Sequence, residues 1–179
     1  MLQKLTISAL ALGAMAAVGV AQAEETKDYS VSLVSAATVL SYKNGSDDEF
    51  SGLGASFFFT IHDTGSKQWA GRVTYAYMSH DSFSSVKVHG TDFSAVWGSN
   101  LNRNGFKWGI GGGFFNEQVS GPANSFTFNG VQLTGGLGYN WDSVSLAFWM
   151  NLRPGSAYKG DGFRVESAAN GGLELGFRF

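Results

Sequence analysis

Hydrophobic and polar residues alternate along most of the chain beyond residue 28. The pattern is clearest at the end, where Leu173, Leu175, Phe177 and Phe179 are separated by Gly, Glu and Arg residues. Successive side chains of a β-strand point to opposite faces, so this spacing gives the strand one apolar face. The same period of two recurs in seven earlier segments: 29–43, 50–63, 69–80, 88–100, 106–119, 126–141 and 143–152. The pattern therefore predicts eight strands.

Two of these segments alternate less regularly than the others. The first segment becomes indistinct through Ser35-Ala36-Ala37, and the sixth changes parity near Asn129-Gly130. An extra residue in one strand shifts the parity of every residue after it. The sequence thus predicts a β-bulge at Asn129-Gly130 and leaves the registers of the first and sixth strands open.

The second face of the strands indicates where the sheet lies. It consists mostly of Gly, Ser, Thr, Ala and Gln, and charged residues make up only 15% of the chain, against about 25% in soluble domains. A face that meets water would carry more Lys, Glu and Asp, whereas small residues suit the crowded interior of a small barrel. We therefore predict an all-β, eight-stranded antiparallel up-and-down transmembrane β-barrel. A soluble β-barrel or sandwich is the alternative.

The first residues have the features of a signal peptide. Lys4 precedes an apolar run from Leu5 to Val20, and Ala21-Gln22-Ala23 fits a cleavage site. We expect residues 1–23 to be cleaved after Ala23 and residues 24–179 to form the barrel domain in the outer membrane of a Gram-negative bacterium. The absence of cysteine excludes thiol chemistry. The small negative net charge gives no indication of nucleic-acid binding.

An even number of strands places both chain termini on the same side, which export predicts to be the periplasm. Connections at 64–68, 101–105 and 141–142 then become periplasmic turns, and those at 44–49, 81–87, 120–125 and 153–167 face outward. Outer-membrane lipid and lipopolysaccharide are the expected surroundings. The longest outward connection offers candidates for contact with an extracellular ligand: Tyr158, Lys159, Asp161, Phe163 and Arg164.

Charged residues of both signs fall on the inward face of different strands: Arg72, Asp92, Lys107, Glu117, Glu174 and Arg178. Unpaired charges are costly to bury, so we expect them to pair across the lumen. A hydrogen-bonded plug is the main interpretation, because eight strands leave little room for an open channel. A gated or selective pore is the alternative.

His80-Asp81-Ser82 combines the residue types of a hydrolase or acyltransferase site. Neighbours on a strand point to opposite faces, however, so adjacency argues against a triad. The other histidines, His62 and His89, show no metal-ligand spacing. We expect no metal, no cofactor and no enzymatic activity. The alternative is a lipid-modifying barrel enzyme of the lipid A acyltransferase or deacylase type that uses His80 and Ser82.

Several segments resemble the OmpX/Ail/Lom group of small outer-membrane barrels. They are the Gly-rich second strand, Trp69 to Tyr75, Phe106 to Phe114, Gln132 to Asn140, and the closing Gly176-Phe177-Arg178-Phe179. The resemblance implies eight strands, no enzymatic activity, and a role in adhesion, host-cell entry or complement resistance. The outward connections are short, so no binding residue carries over from the group.

The alternating end of the chain also resembles the signal that the barrel-assembly machinery reads, here Leu173, Leu175, Phe177 and Phe179. This resemblance makes the machinery an expected partner. The sequence therefore favours a structural or surface-interaction barrel, with roles in adhesion or envelope integrity. A narrow channel is a weaker alternative.

Overall fold

The computed structural model describes residues 26–42, 47–160 and 163–179. Eight long strands dominate it: β1 Tyr29–Tyr42, β2 Asp48–Asp63, β3 Gln68–His80, β4 Lys87–Ser99, β5 Gly105–Ser120, β6 Ser125–Asn140, β7 Val144–Pro154 and β9 Phe163–Arg178. A 3-10 turn, Gly155–Ala157, and a two-residue strand, β8 Lys159–Gly160, lie between β7 and β9. The predicted signal peptide lies outside the described residues and stays a prediction.

The sheet closes on itself. Each long strand pairs antiparallel with the next, and β9 pairs with both β7 and β1. The predicted fold, an eight-stranded antiparallel up-and-down barrel, is confirmed. The first and last strands meet where the Tyr29 amide donates to the Phe179 carbonyl oxygen at 3.1 Å. We call this the terminal end and the opposite end, reached by the β1–β2, β3–β4, β5–β6 and β7–β9 connections, the loop end.

The outer face of the barrel is apolar. Large side chains are exposed on every long strand, among them Leu33 at 74%, Leu53 at 74% and Phe114 at 66%. A surface with so many exposed aromatic and aliphatic groups is built for a hydrocarbon layer, and a closed sheet leaves no backbone edge unpaired there. No helix in the described part of the chain is long and apolar enough to cross a membrane.

The predicted bulge in the sixth strand is wrong. The β5–β6 register runs without a shift from Ser120↔Ser125 to Gly105↔Asn140. Phe126 and Phe128 face the lumen in step with Gln132, and Val34, Ala36 and Leu40 of β1 do the same. The hydrophobic pattern changes parity because the lumen lining itself becomes apolar toward the loop end. The register shift that does occur in β1 lies at Ser41/Tyr42.

Buried apolar side chains form two clusters inside the barrel. The terminal-end cluster contains Phe58, Ala70, Val96, Leu101, Ala147 and Trp149. The loop-end cluster contains Val34, Ala36, Leu40, Phe50, Ala76, Met78, Val88, Phe115, Phe128, Tyr158, Val165 and Ala168. Polar and charged side chains fill the remaining lumen, so the apolar groups inside the barrel are concentrated toward its two ends.

The β4–β5 turn covers the terminal end. Leu101 of this turn is buried at 4% and packs with Trp149 in the terminal-end cluster. Asn102 donates from Nδ2 to Asp28 and Asp63 at 3.0 Å each, and its carbonyl oxygen accepts from the Lys27 amide at 2.8 Å. The tight path needs a left-handed residue, which is Asn100 at φ 54°. The turn therefore caps this end of the lumen.

Candidate functional site in the lumen

Arg153 connects three strands across the lumen. Its Nη2 lies 2.6 Å from Asp92 Oδ1, and its Nη1 lies 2.6 Å from Glu117 Oε2. The three side chains are exposed by only 1%, 6% and 1%. Arg153 also donates from Nε to Gln132 Oε1 and from Nη1 to the Tyr158 hydroxyl, both at 3.0 Å. One guanidinium thus joins two carboxylates, an amide and a phenol.

Arg153 is not among the lumen charges predicted from the sequence, because residues 153–167 were expected to form an outward connection. The seventh strand in fact continues to Pro154. Its alternation contained the necessary signal: Leu152 faces out at 49% exposure, so the next residue must face in.

A second ion pair lies closer to the terminal end. Arg72 Nη2 is 2.5 Å from Glu174 Oε1, and Ser56 donates to Glu174 Oε2 at 3.0 Å. The Arg72 guanidinium also lies 5.4 Å from the centre of a Trp149 ring. Lys107 is buried at 6% exposure, with its Nζ 6.0 Å from the Phe58 ring. This part of the lumen therefore combines cationic and aromatic groups.

The structure places all six predicted lumen charges inside the barrel, each at 6% exposure or less. Asp92 and Glu117 pair with Arg153, and Arg72 pairs with Glu174. Arg178 instead donates to Asn104 Oδ1 at 2.8 Å and to the Trp141 carbonyl oxygen. Five of the six inward charges thus divide into two ion-pair networks and one turn contact, and Lys107 lies against the Phe58 ring.

A pocket opens at the loop end, above the Arg153 network. Its volume is about 370 Å³. Most lining side chains are apolar: Leu40, Phe50, Phe83, Val86, Val119, Phe126, Phe128 and Val165. Tyr158 and the β5–β6 loop, residues 121–124, complete the lining. Its size lies within the range typical of small-molecule pockets.

One wall of the pocket is polar. The Tyr42 hydroxyl donates to Asp48 Oδ2 at 2.8 Å, and His80 Nε2 lies 3.2 Å from Asp48 Oδ1. His80 Nδ1 accepts from the amides of Ser82 and Phe83 at 3.0 and 3.2 Å, so Nε2 carries the ring proton. Burial and the bond to Asp48 raise the pKa of the Tyr42 phenol well above its usual value. Asp48 is therefore a carboxylate with two neutral donors.

The predicted His80-Asp81-Ser82 group does not assemble as a triad. Ser82 contributes its backbone N–H to His80, and Asp81 accepts from the Ser51 hydroxyl at 2.7 Å. The carboxylate that faces His80 is Asp48, which the sequence analysis placed in a loop. The β2–β3 register, with Phe50 opposite His80, brings the start of β2 to this histidine.

The predicted outward candidate Tyr158 needs correction. Its side chain is exposed by 1%, and its ring lies 5.5 Å from that of Phe115, because the 3-10 turn directs the chain back into the lumen. Lys159 pairs with Arg164 in the β8–β9 ladder, next to Phe163. Asp161 lies outside the described residues. These four residues stay predictions.

The other predicted site residues lie apart from the pocket. Leu173, Leu175 and Phe177 are exposed by 40% to 59% on the outer face of β9, and Phe179, which follows the strand, is exposed by 54%. His89 Nδ1 lies 3.0 Å from the Tyr75 hydroxyl, also outside the lumen. Within the described segments, no three His, Cys, Asp or Glu side chains are grouped to hold a metal.

Searches by sequence found no matching family model and no matching curated protein. Solved structures do match. Ail, the attachment invasion locus protein of Yersinia pestis, aligns with a TM-score of 0.58 at 14% identity, over 87% of this chain and 100% of that chain. The structure of Ail in complex with the heparin analogue sucrose octasulfate aligns with a TM-score of 0.51 at 12% identity, with the same coverage of both chains. Neisserial surface protein A aligns with a TM-score of 0.53 at 17% identity, over 87% of this chain and 98% of that chain.

The chain has the fold of these outer-membrane barrels. At this level of identity the likeness concerns the fold alone. The resemblance to the OmpX/Ail group that the sequence predicts is confirmed for architecture.

Proposed function

We propose that the protein is an integral outer-membrane β-barrel whose lumen is plugged. It acts at its loop end as a structural or surface-interaction component of the envelope, with adhesion or envelope integrity as its role. It is not an enzyme and not a channel. The barrel sits among outer-membrane lipid and lipopolysaccharide and is inserted by the barrel-assembly machinery, for which the exposed Phe177 and Phe179 are suitable contacts.

The observation that carries the proposal is the Arg153 network. Its ion pairs reach from β7 to β4 and β5, and every charged member is almost completely buried. An ion crossing the barrel would have to separate these pairs, which leaves charges unpaired in a low-dielectric interior. The capping turn with Leu101 and Asn102 adds a second obstruction at the terminal end. Both features support a non-conducting lumen.

Planar-bilayer recording tests the plug. The wild-type barrel should give a flat current in concentrated KCl, while a porin in the same bilayers gives steps. Arg153→Gly combined with Leu101→Gly should introduce conductance, because it empties the network and opens the cap. Steady current steps from the wild-type protein would refute the plugged lumen.

The charges at the loop end indicate which kind of surface partner the protein can bind. Among the described residues of this end, Asp47, Asp48, Glu49, Asp81 and Glu166 are acidic, and Lys87, Lys159 and Arg164 are basic. Ail has been crystallised with a heparin analogue, but the acidic β2 start makes this chain a poor match for a sulfated polyanion. We therefore favour a neutral or cationic extracellular ligand.

A deletion strain can separate the two roles. Complementation with wild-type protein or with Phe83→Ser should restore resistance to large antibiotics equally if the role is structural. Phe83 is exposed by 63% at the loop end, so its replacement should reduce binding to host cells or surfaces if contact is the function. A deletion strain unchanged in both assays would contradict the proposal.

The lack of enzymatic activity has its own support. His80 Nδ1 accepts from the backbone N–H groups of Ser82 and Phe83, and Nε2 faces Asp48, so both ring nitrogens are engaged with groups other than the Ser82 hydroxyl. Mass spectrometry of lipid A is the direct test. The lipid A profile should be identical in strains that carry wild-type protein, His80→Ala or Ser82→Ala. A modified acyl pattern that both substitutions abolish would restore the enzyme alternative.

A further inference from the structure

The loop-end pocket has the properties of a binding site rather than of packing left incomplete. Most apolar groups that a barrel turns inward pack against each other, yet here Phe50, Phe126 and Phe128 leave a cavity of about 370 Å³. The cavity opens at the end of the barrel that carries the outward loops. An apolar concavity that meets water is unfavourable unless a ligand covers it.

The polar wall of the pocket determines the sign of the ligand. Asp48 accepts hydrogen bonds from Tyr42 and from His80, and neither donor carries a charge in this arrangement. Its side chain is still 37% exposed, so a further donor can reach it. Neighbouring Asp47, Glu49 and Asp81 increase the negative potential. Of the cations near this end, Arg153 is paired with Asp92 and Glu117, and Lys87 directs its Nζ to Ser79 Oγ at 2.8 Å. A carboxylate-bearing ligand would be repelled here.

We propose that this pocket binds a small amphiphile that carries one protonated amine on an aromatic or aliphatic body. The ammonium group contacts the Asp48 carboxylate, and the body occupies the cavity between Phe128, Val119 and Val86. The inference goes beyond the proposed surface role and does not depend on it: a conducting barrel would refute the plug and leave this binding site in place.

Calorimetry on the whole barrel in zwitterionic lipid nanodiscs tests the site with three matched probes: 2-phenylethylamine, 2-phenylethanol and 3-phenylpropionate. The amine should bind at least about tenfold more tightly than the alcohol, because its ammonium adds charge–charge attraction to the hydrogen bond with the Asp48 carboxylate. The propionate should bind most weakly. Methylamine, which carries the charge without the body, should give no measurable binding.

Three variants locate the binding. Asp48→Asn keeps the shape of the wall and should remove the preference for the amine over the alcohol. Asp47→Asn removes a charge from the same end without lining the pocket, and amine affinity should fall by less than twofold. Val86→Trp fills the cavity from the β3–β4 loop and should abolish binding of both amine and alcohol. Heat-modifiability gels establish that each variant is folded.

The outcomes are decisive in either direction. The proposal is overturned if the amine gives no more heat with the barrel than with empty nanodiscs, or if Asp47→Asn weakens binding as much as Asp48→Asn does. It is also overturned if Val86→Trp still binds the amine. Should Asp48→Asn fail to fold, the probe ranking and the Val86→Trp result decide the question.

Discussion

The two halves of the lumen solve the same packing problem in different ways. Toward the terminal end, glycines face the largest side chains, and the capping turn adds Leu101 to the filling. A Cβ on Gly136 would lie 2.3 Å from Trp149 Cε3, so this residue must be glycine for the indole to fit. Toward the loop end, Gly130 lies against the Phe115 ring, where an added Cβ would come within 3.2 Å of Cε1. The aromatic side chains of several strands nevertheless leave a pocket there.

This difference separates stability from binding within one small barrel. The filled half supplies close packing and paired charges, which hold the barrel closed. The loop-end half is less closely packed. Its cavity has a mostly apolar lining, contains Asp48 and opens to the outside. Arg153 lies at the boundary: its guanidinium is 4.3 Å from the Phe115 ring of the loop-end cluster, while its ion pairs belong to the polar layer.

The largest expected effect on stability comes from removing the positive charge of Arg153. Arg153→Met keeps the apolar stem but leaves Asp92 and Glu117 without their cation, and breaking a buried pair by removing one partner costs about 3–5 kcal/mol. Urea unfolding in lipid vesicles, followed by heat-modifiability, should show this loss in the free energy of unfolding.

A compensating variant serves as the control. Arg153→Met combined with Asp92→Asn and Glu117→Gln removes all three charges, and stability should return to within about 1 kcal/mol of the wild type, since a neutral replacement of a buried ion cluster is often well tolerated. A loss below about 1 kcal/mol in the single variant would mean that the network does not stabilise the barrel.

The glycine packing of the terminal half gives the next effect. Gly136→Ala forces Trp149 or the backbone to shift and should destabilise the barrel by about 1–3 kcal/mol, as overpacking does in other cores. Gly135→Ala is the matched control: it is the adjacent residue of β6, its added Cβ would meet only the Gly109 carbonyl oxygen at 3.9 Å, and it should be nearly neutral. Equal losses for the two variants would argue against a packing cause.

Much of the fold could be predicted from the sequence because it follows from a period of two. Where the lumen is polar, as along β9 with Glu174 and Arg178 inward, the two faces differ in chemistry and the alternation is visible. Where the lumen is apolar, both faces are hydrophobic and the signal disappears. The supposed bulge at Asn129-Gly130 and the indistinct first strand arose for this reason.

The candidate site was less accessible to sequence reasoning. Inward charges such as Asp92 and Glu117 could be identified by parity, but their partner Arg153 was assigned to the connection 153–167, although the seventh strand continues to Pro154. The contact between His80 and Asp48 depends on the register between β2 and β3, which no local pattern specifies. The pocket requires side chains from six strands and loops to be placed in space.

Because the loop-end half contains an open pocket, shortening a side chain there should cost less stability than shortening one in the terminal-end cluster. Val96→Ala in the terminal-end cluster, at 0% exposure, should cost about 2 kcal/mol, because two methyl groups leave a closed cavity. Val119→Ala lines the existing pocket and should cost less than about 1 kcal/mol. The same urea series measures both losses, and a larger loss at Val119 would show that the pocket contributes to stability after all.

The smallest expected effect on stability comes from Asp63, which binds the β4–β5 turn that caps the terminal end. Burial raises the pKa of Asp63, but hydrogen bonds from Asn102, Gly65, Gln68 and Arg103 outweigh burial and lower it to about 2, from an ordinary 3.8. A folded-state pKa below the unfolded value contributes stability above about pH 4, and this contribution is lost as the pH falls toward 2.

Asp63→Asn should therefore destabilise the barrel by about 1 kcal/mol at neutral pH, the scale of a partly exposed ion pair. The difference between variant and wild type should shrink as the pH falls from 4 to 2. Urea midpoints measured across this range test it, because a difference that stays constant with pH would assign the effect to lost hydrogen bonds and not to the charge. The loop-end half should be unaffected, so amine binding to the pocket should be the same in Asp63→Asn and wild type at neutral pH.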